Sequence, residues 1–188
     1  MPRKPLLIID FEATCDGHGR LPAADMEIIE IGAVLLDGDD QVAGQFQCFV
    51  KPVLNPLLTP FCTALTGIKQ SDVESAGTFP DAARALSHWL RSDVPVSPTR
   101  WASWGDYDRK QLNRDCERHQ VANPLALPHQ NVKTAFAHAH GGHGWALGDA
   151  LAHVGLAFEG TLHRGLDDAL NIARLVQNNE ALKAILHD

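Results

Sequence analysis

The sequence predicts a mixed α/β fold, a sheet flanked by helices. Three observations lead there. The first fifty residues hold three strand-like runs separated by turn residues. Strand-like and helical segments then alternate, and the last clear segment is an amphipathic helix. Strands in succession, followed by strands interleaved with helices, are the pattern of a mixed sheet with covered faces.

Each element has a local reason. Residues 5–10 are a short apolar run bounded by Pro5 and Asp10, which fits a buried strand. Residues 27–36 (EIIEIGAVLL) are rich in β-branched and aliphatic side chains, and the Asp37-Gly38 pair marks a turn. Residues 41–50 supply the other hairpin arm. Three prolines between 51 and 60 mark a loop. Residues 81–91 have apolar side chains at 82, 85, 86, 89 and 90, a helical spacing. Residues 100–104 read as a short strand, and 108–119 as a helix with Leu112 and Cys116 four apart. Pro124 and Pro128 mark a further loop. Helices are expected over 131–138 and 147–154, a weak strand after them, and a strong helix from Asp167 to Val176. No repeat, low-complexity tract or linker interrupts the chain, so a single domain over 1–188, with its core at about 5–178, is expected.

Composition narrows the function. The chain has 188 residues, 45% hydrophobic and 21% charged, an ordinary globular mix. Leu6–Ile9 is too short for a membrane span or a signal segment, although Arg3 and Lys4 precede it. Cysteines at 15, 48, 62 and 116 form no C-x-x-C pair, and free thiols in a reducing cytoplasm are expected. The net charge of −7 argues against a broad basic nucleic-acid face. It leaves room for bound cations and small basic clusters that hold phosphates.

The carboxylates carry the chemistry. Asp10 and Glu12 are two apart at the end of a strand, so their side chains share a face. Asp106 and Asp108 flank the start of a helix, and Asp167 and Asp168 open the last one. Each has an ordinary explanation, since acidic residues cap and begin helices. Together they can converge on one sheet edge. Clustered carboxylates raise one another's pKa values. Oxygen-liking cations such as Mg²⁺ or Mn²⁺ remove that cost. A pair of such ions is a standard clamp for phosphoryl displacement, and His163 would supply a base near neutral pH. The tract His138, His140, His143 lacks cysteine partners and reads as structural or as an exposed loop; Trp89, Trp101 and Trp104 read first as core. Arg109, Lys110 and Arg164 adjoin these motifs and are candidates to steer phosphates.

The set Ile9-Asp10-Phe11-Glu12-Ala13-Thr14, Gly105-Asp106-Tyr107-Asp108, and His163 followed by Asp168 resembles the DEDDh 3′–5′ exonucleases. Glu30-Ile31-Gly32-Ala33, Phe61-Cys62, Leu65-Thr66-Gly67-Ile68 and the stretch from His163 to Ala173 are similar to one branch, the histone-mRNA 3′-exonuclease and KapD-like group. The resemblance covers about residues 5–178. It implies a ribonuclease-H-like five-stranded mixed sheet. It implies Asp10, Glu12, Asp108 and Asp168 as ligands of two Mg²⁺ or Mn²⁺ ions, with His163 as general base. It implies Phe11 and Ala13, and then Leu65 and Thr66, as the binding place of a 3′-terminal nucleotide. The expected partner is the 3′ end of single-stranded RNA or DNA, in RNA processing and without a membrane. The expected reaction is hydrolysis to nucleoside 5′-monophosphates. The alternative is a KapD-like regulatory binding protein on the same scaffold.

Overall fold

A computed structural model describes residues 3–187. Strands β1 (Leu6–Ala13), β2 (Ile28–Leu36) and β3 (Val42–Phe49) open the chain, and β4 (Arg100–Ser103) and β5 (His129–Asn131) follow. They form one five-stranded sheet in the order β3-β2-β1-β4-β5. β1 pairs antiparallel with β2, and β2 with β3. β4 runs parallel to β1, and β5 parallel to β4. This is the mixed α/β sheet that the sequence predicts.

The helices are α1 (Pro60–Thr66), α2 (Gln70–Glu74), α3 (Phe79–His88), α4 (Tyr107–His119), α5 (Val132–His140), α6 (Leu147–His153), α7 (Gly165–Gln177) and α8 (Glu180–His187). A π-helical turn at Trp89–Asp93 continues α3. None of the described helices is long and apolar enough to cross a membrane.

The last strand differs from the sequence expectation. No strand forms between α6 and α7; β5 lies earlier, directly after Pro128. Its three residues, His129, Gln130 and Asn131, are polar and carry no apolar alternation, and the backbone of β4 recruits them through Trp101↔His129 to Ser103↔Asn131 pairing. α1 begins at Pro60, where the proline-rich loop is expected to end, and α2 follows from Gln70. Pro60 stands in the first turn of α1, where its missing N–H costs nothing, and the Thr59 side chain caps Cys62 N–H.

β1 is buried on both faces, which explains its unbroken apolar run. Leu6 and Ile8 face α5–α8 and meet Phe136, Leu151 and Ile172. Leu7, Ile9 and Phe11 face α3 and α4 and meet Leu86, Trp89 and Leu112. The first face therefore runs Leu6, Ile8, Asp10, Glu12. It changes from apolar to acidic as the strand leaves the core.

Candidate active site

The register of the β1–β2 pair puts Gly32 opposite Asp10 and Glu30 opposite Glu12. Gly32 is required there. A Cβ on it would lie 2.0 Å from the Gly165 carbonyl carbon and 2.1 Å from the Leu166 nitrogen. The missing side chain lets the first turn of α7 press against the sheet. Glu30, fully buried, then holds that turn in place. Its carboxylate accepts the Gly165 N–H at 3.1 Å and the Arg164 Nε–H at 3.2 Å. Buried Ala169, Ile172, Ala173 and Val176 seat the rest of α7. Asp168 is thereby carried above the acidic end of β1.

β4 brings the third motif member. It runs parallel to β1, so both strands end on the same side of the sheet. A short turn after Ser103 leads into α4, whose first turn carries Asp108. Asp108 is buried, and its Oδ1 accepts the Phe11 N–H at 2.9 Å. Asp106 instead pairs with Arg109 at 3.1 Å and is half-exposed. Asp167 accepts the Thr161 N–H at 2.8 Å. Asp108 and Asp168, not their acidic neighbours, line the site.

The site is a cavity of about 560 Å³. Asp10, Phe11, Glu12, Asp108, His163 and Asp168 line it, joined by Trp104, Tyr107, Lys133, Asp149 and Leu162. One ligand atom each from Glu12, His163 and Asp168 lies within 4.8 Å of the others. His163 is exposed, and its φ of 60° places it in the left-handed region, which is uncommon for a residue with a side chain.

Burial and mutual repulsion raise the carboxyl pKa values. Burial first, and then the charges of Asp108 and Asp168, hold Asp10 well above the usual carboxylate range. Burial, then the Asp168 charge, pushes Glu12 up to about 8. Burial takes Asp168 to about 7, against hydrogen bonds from the His163 and Arg164 backbone. Burial raises Asp108 to about 6, although the Phe11 N–H pulls the other way. Of the neighbouring cations, Arg109 is committed to Asp106 and Arg164 to Glu30, and Lys133, in the lining, makes no ion pair with the cluster. A cluster of buried oxygen ligands with no paired side-chain cation fits a divalent metal ion.

Three expected substrate residues lie outside the cavity lining. Ala13 is buried. Thr66 is fully buried, and its hydroxyl donates to the Cys62 carbonyl at 2.9 Å and accepts the Ile68 N–H at 3.1 Å. That hydroxyl is occupied within the fold. Leu65 is exposed on α1, away from the lining. Lys133, Asp149 and Leu162 come to the cavity unforeseen, and no local signal marks Lys133 or Asp149. Glu30 was detectable in sequence as a lone acid inside an apolar strand. Trp101 is core, whereas Trp104 reaches the cavity and donates its Nε1–H to the Trp145 carbonyl at 3.2 Å.

Comparison with known proteins agrees with this geometry. A family model described as "Exonuclease" (RNase_T) matches residues 7–176. The Drosophila melanogaster "3'-5' exonuclease Snipper" is 30% identical over 93% of this chain and 69% of its own length. The human "3'-5' exoribonuclease 1" is 33% identical over 90% of this chain and 50% of its own. The chain spans only 27% of human "ERI1 exoribonuclease 2". Among solved structures, the nuclease domain of 3'hExo, a DEDDh family member bound to rAMP, superposes with a TM-score of 0.84. It is 31% identical, over 98% of this chain and 92% of that one. Exonuclease I, at 14% identity and a TM-score of 0.73, shares the fold. With a family model matching residues 7–176 and a DEDDh nuclease domain 31% identical over 92% of its own chain, the protein belongs to the DEDDh 3′–5′ exonuclease family.

Proposed function

We propose that the protein is a metal-dependent 3′–5′ exonuclease that hydrolyses single-stranded nucleic acid, RNA by preference, to nucleoside 5′-monophosphates. The observation that carries this reading is the convergence of Asp10, Glu12, Asp108 and Asp168 with His163 around one open cavity. Those four carboxylates would hold two Mg²⁺ or Mn²⁺ ions. Bound there, the ions supply Lewis-acid polarisation of the phosphoryl oxygens and neutralise charge on the leaving oxygen.

The chain's own groups do the rest. His163, exposed at the cavity mouth, takes the proton from the attacking water as general base. Lys133 on α5 supplies the cationic side chain of the lining and attracts the phosphate backbone. Tyr107 and Leu162, both exposed in the lining, offer apolar surface to the terminal nucleotide, whereas the Phe11 side chain is buried against α3 and α4. RNA preference rests on the names of the relatives, among them "3'-5' exoribonuclease 1".

The test uses RNA and DNA strands of one sequence, labelled at either end, with and without Mg²⁺. A 5′-labelled strand should shorten to a ladder, a 3′-labelled one should release labelled mononucleotide at once, and RNA should be consumed faster. Cleavage of a circular single strand would refute the end-directed reading. Binding without hydrolysis in saturating Mg²⁺ would favour the regulatory alternative.

A further inference from the structure

Cys15 and Cys62 face each other across the end of β1 and the start of α1. One threonine hydroxyl ties their backbones together. Thr59 Oγ1 donates to the Cys15 carbonyl at 2.6 Å and accepts the Cys62 N–H at 3.0 Å. The Cys62 thiol also reaches back to the Ala13 carbonyl, with Sγ 3.7 Å from the oxygen. Cys62 is fully buried in a small cluster with Ile29, Ile68 and Val73, and Cys15 packs against that cluster. Cys15 is half-buried. It forms part of the wall of a separate cavity of about 190 Å³, together with Asp16, Arg20 and Asn55. One sulfur of the pair is therefore reachable from solvent and the other waits behind it.

We propose that Cys15 and Cys62 are a redox-active dithiol, closed to a disulfide by exchange with a small disulfide that enters the cavity beside Cys15. The thiols are chemically prepared for it. The hydrogen bond between them pulls Cys62 down to about 7 and pushes Cys15 up. The pair thus gives up its first proton near neutral pH, and the thiolate is the species that attacks. Cys48 and Cys116 lack this help, and burial holds them at about 12 and 11.

The exchange balances as follows. The proton held between the two sulfurs moves from Cys15 to Cys62, which puts the negative charge on the reachable sulfur; Cys15 Sγ then attacks one sulfur of RSSR, forms Cys15–S–SR and expels RS⁻. That thiolate takes up the proton lost by the pair. Cys62 then loses its own proton, attacks Cys15 Sγ and displaces the second RS⁻, which is protonated in turn. Two cysteine thiols are oxidised and RSSR is reduced to two RSH. The bond closes the chain between residues 15 and 62 and staples α1 to the strand that carries Asp10 and Glu12.

The experiment treats the reduced full chain with oxidised glutathione and measures intact mass, free thiols and linked peptides. The expected product has lost two hydrogen atoms and two of its four free thiols. It should map to a Cys15–Cys62 peptide and return to the starting mass in dithiothreitol. Cys62→Ala should stop at glutathione on Cys15, and Cys15→Ala should take up none. The oxidised wild type should unfold at a higher temperature than the reduced form, because the crosslink restricts the unfolded chain. A stable glutathione adduct on wild-type Cys15, a different cysteine pair, or a lowered unfolding temperature would overturn the proposal. Peptide mapping of the wild type decides the matter even if a variant fails to fold. No arm measures nuclease activity, so the result is independent of the proposed function.

Discussion

The Phe11 N–H donates to Asp108 Oδ1 across 97 residues of sequence, at 2.9 Å and out of reach of solvent. This bond joins the first turn of α4 to β1 between Asp10 and Glu12. Asp108 has two duties there. It anchors a backbone donor that would otherwise be buried without a partner, and it contributes charge to the cluster. The duties separate in Asp108→Asn, which keeps the acceptor and loses the charge. We expect a thermal midpoint in EDTA close to that of the wild type. Turnover should fall by more than ~10²-fold, since losing even an outer partner of a metal ligand costs about 10–100-fold. Turnover near wild type would remove Asp108 from the ligand set.

Stability without metal should show the raised carboxyl pKa values. Glu12, at about 8, and Asp168, at about 7, hold protons that the unfolded chain has already released. Their contribution is complete below the ordinary carboxylate pKa and is lost as pH rises through about 7 to 8. His129 and His187, whose pKa values burial lowers, act in the opposite direction below the ordinary histidine range. Glu12→Gln isolates the effect. In EDTA, its thermal midpoint should gain on the wild type between about pH 4.5 and 8, and hold a constant lead above that. Mg²⁺ should raise the wild-type midpoint more at the alkaline end. A difference that does not change with pH would contradict the assignment.

Removal of divalent ions should abolish hydrolysis, and Mg²⁺ or Mn²⁺ should restore it. The physical reason is the lack of a paired side-chain cation, since Arg109 and Arg164 are held by Asp106 and Glu30. Full activity in EDTA would end the metal-dependent reading.

His163 is expected to be the proton acceptor. His163→Ala and His163→Asn should each lower turnover by roughly 10²–10⁴-fold while leaving divalent-ion binding largely intact. The pair is informative because His163 has a φ of 60°. Asparagine tolerates that region, whereas alanine adds a strain of about 1–2 kcal/mol. Equal losses in turnover would identify the lost imidazole. Normal turnover in His163→Asn, with a defect only in His163→Ala, would reduce His163 to a backbone role.

Gly32→Ala should destabilise the fold by about 1–3 kcal/mol or more, because the new methyl group meets backbone and not a movable side chain. It should also lower activity by lifting α7 and Asp168 from β1. A wild-type unfolding midpoint would show that the two elements are less closely packed than the structure has them.

What the sequence determined by itself was local. Period two along β1 puts Asp10 and Glu12 on one face, and helical period seats α7 with Asp168 in its first turn. The covered sheet follows from apolar runs too long for one-sided burial. The order and spacing of the motifs, together with their resemblance to one family, pointed to the proposed metal ligands and to His163. Tertiary structure decided the rest. The resemblance already favours Asp108 over Asp106, but what fixes Asp108 in the buried site is a hydrogen bond from Phe11, 97 residues away. β5 exists because β4 offers its edge, since three polar residues have no strand pattern of their own. Lys133 and Asp149 enter the cavity, and Thr66 stays out of it, through the packing of helices distant in sequence. Periodicity registers what a residue does within its own element; which elements meet is set by non-local backbone pairing and close approach, as where Gly32 admits Gly165.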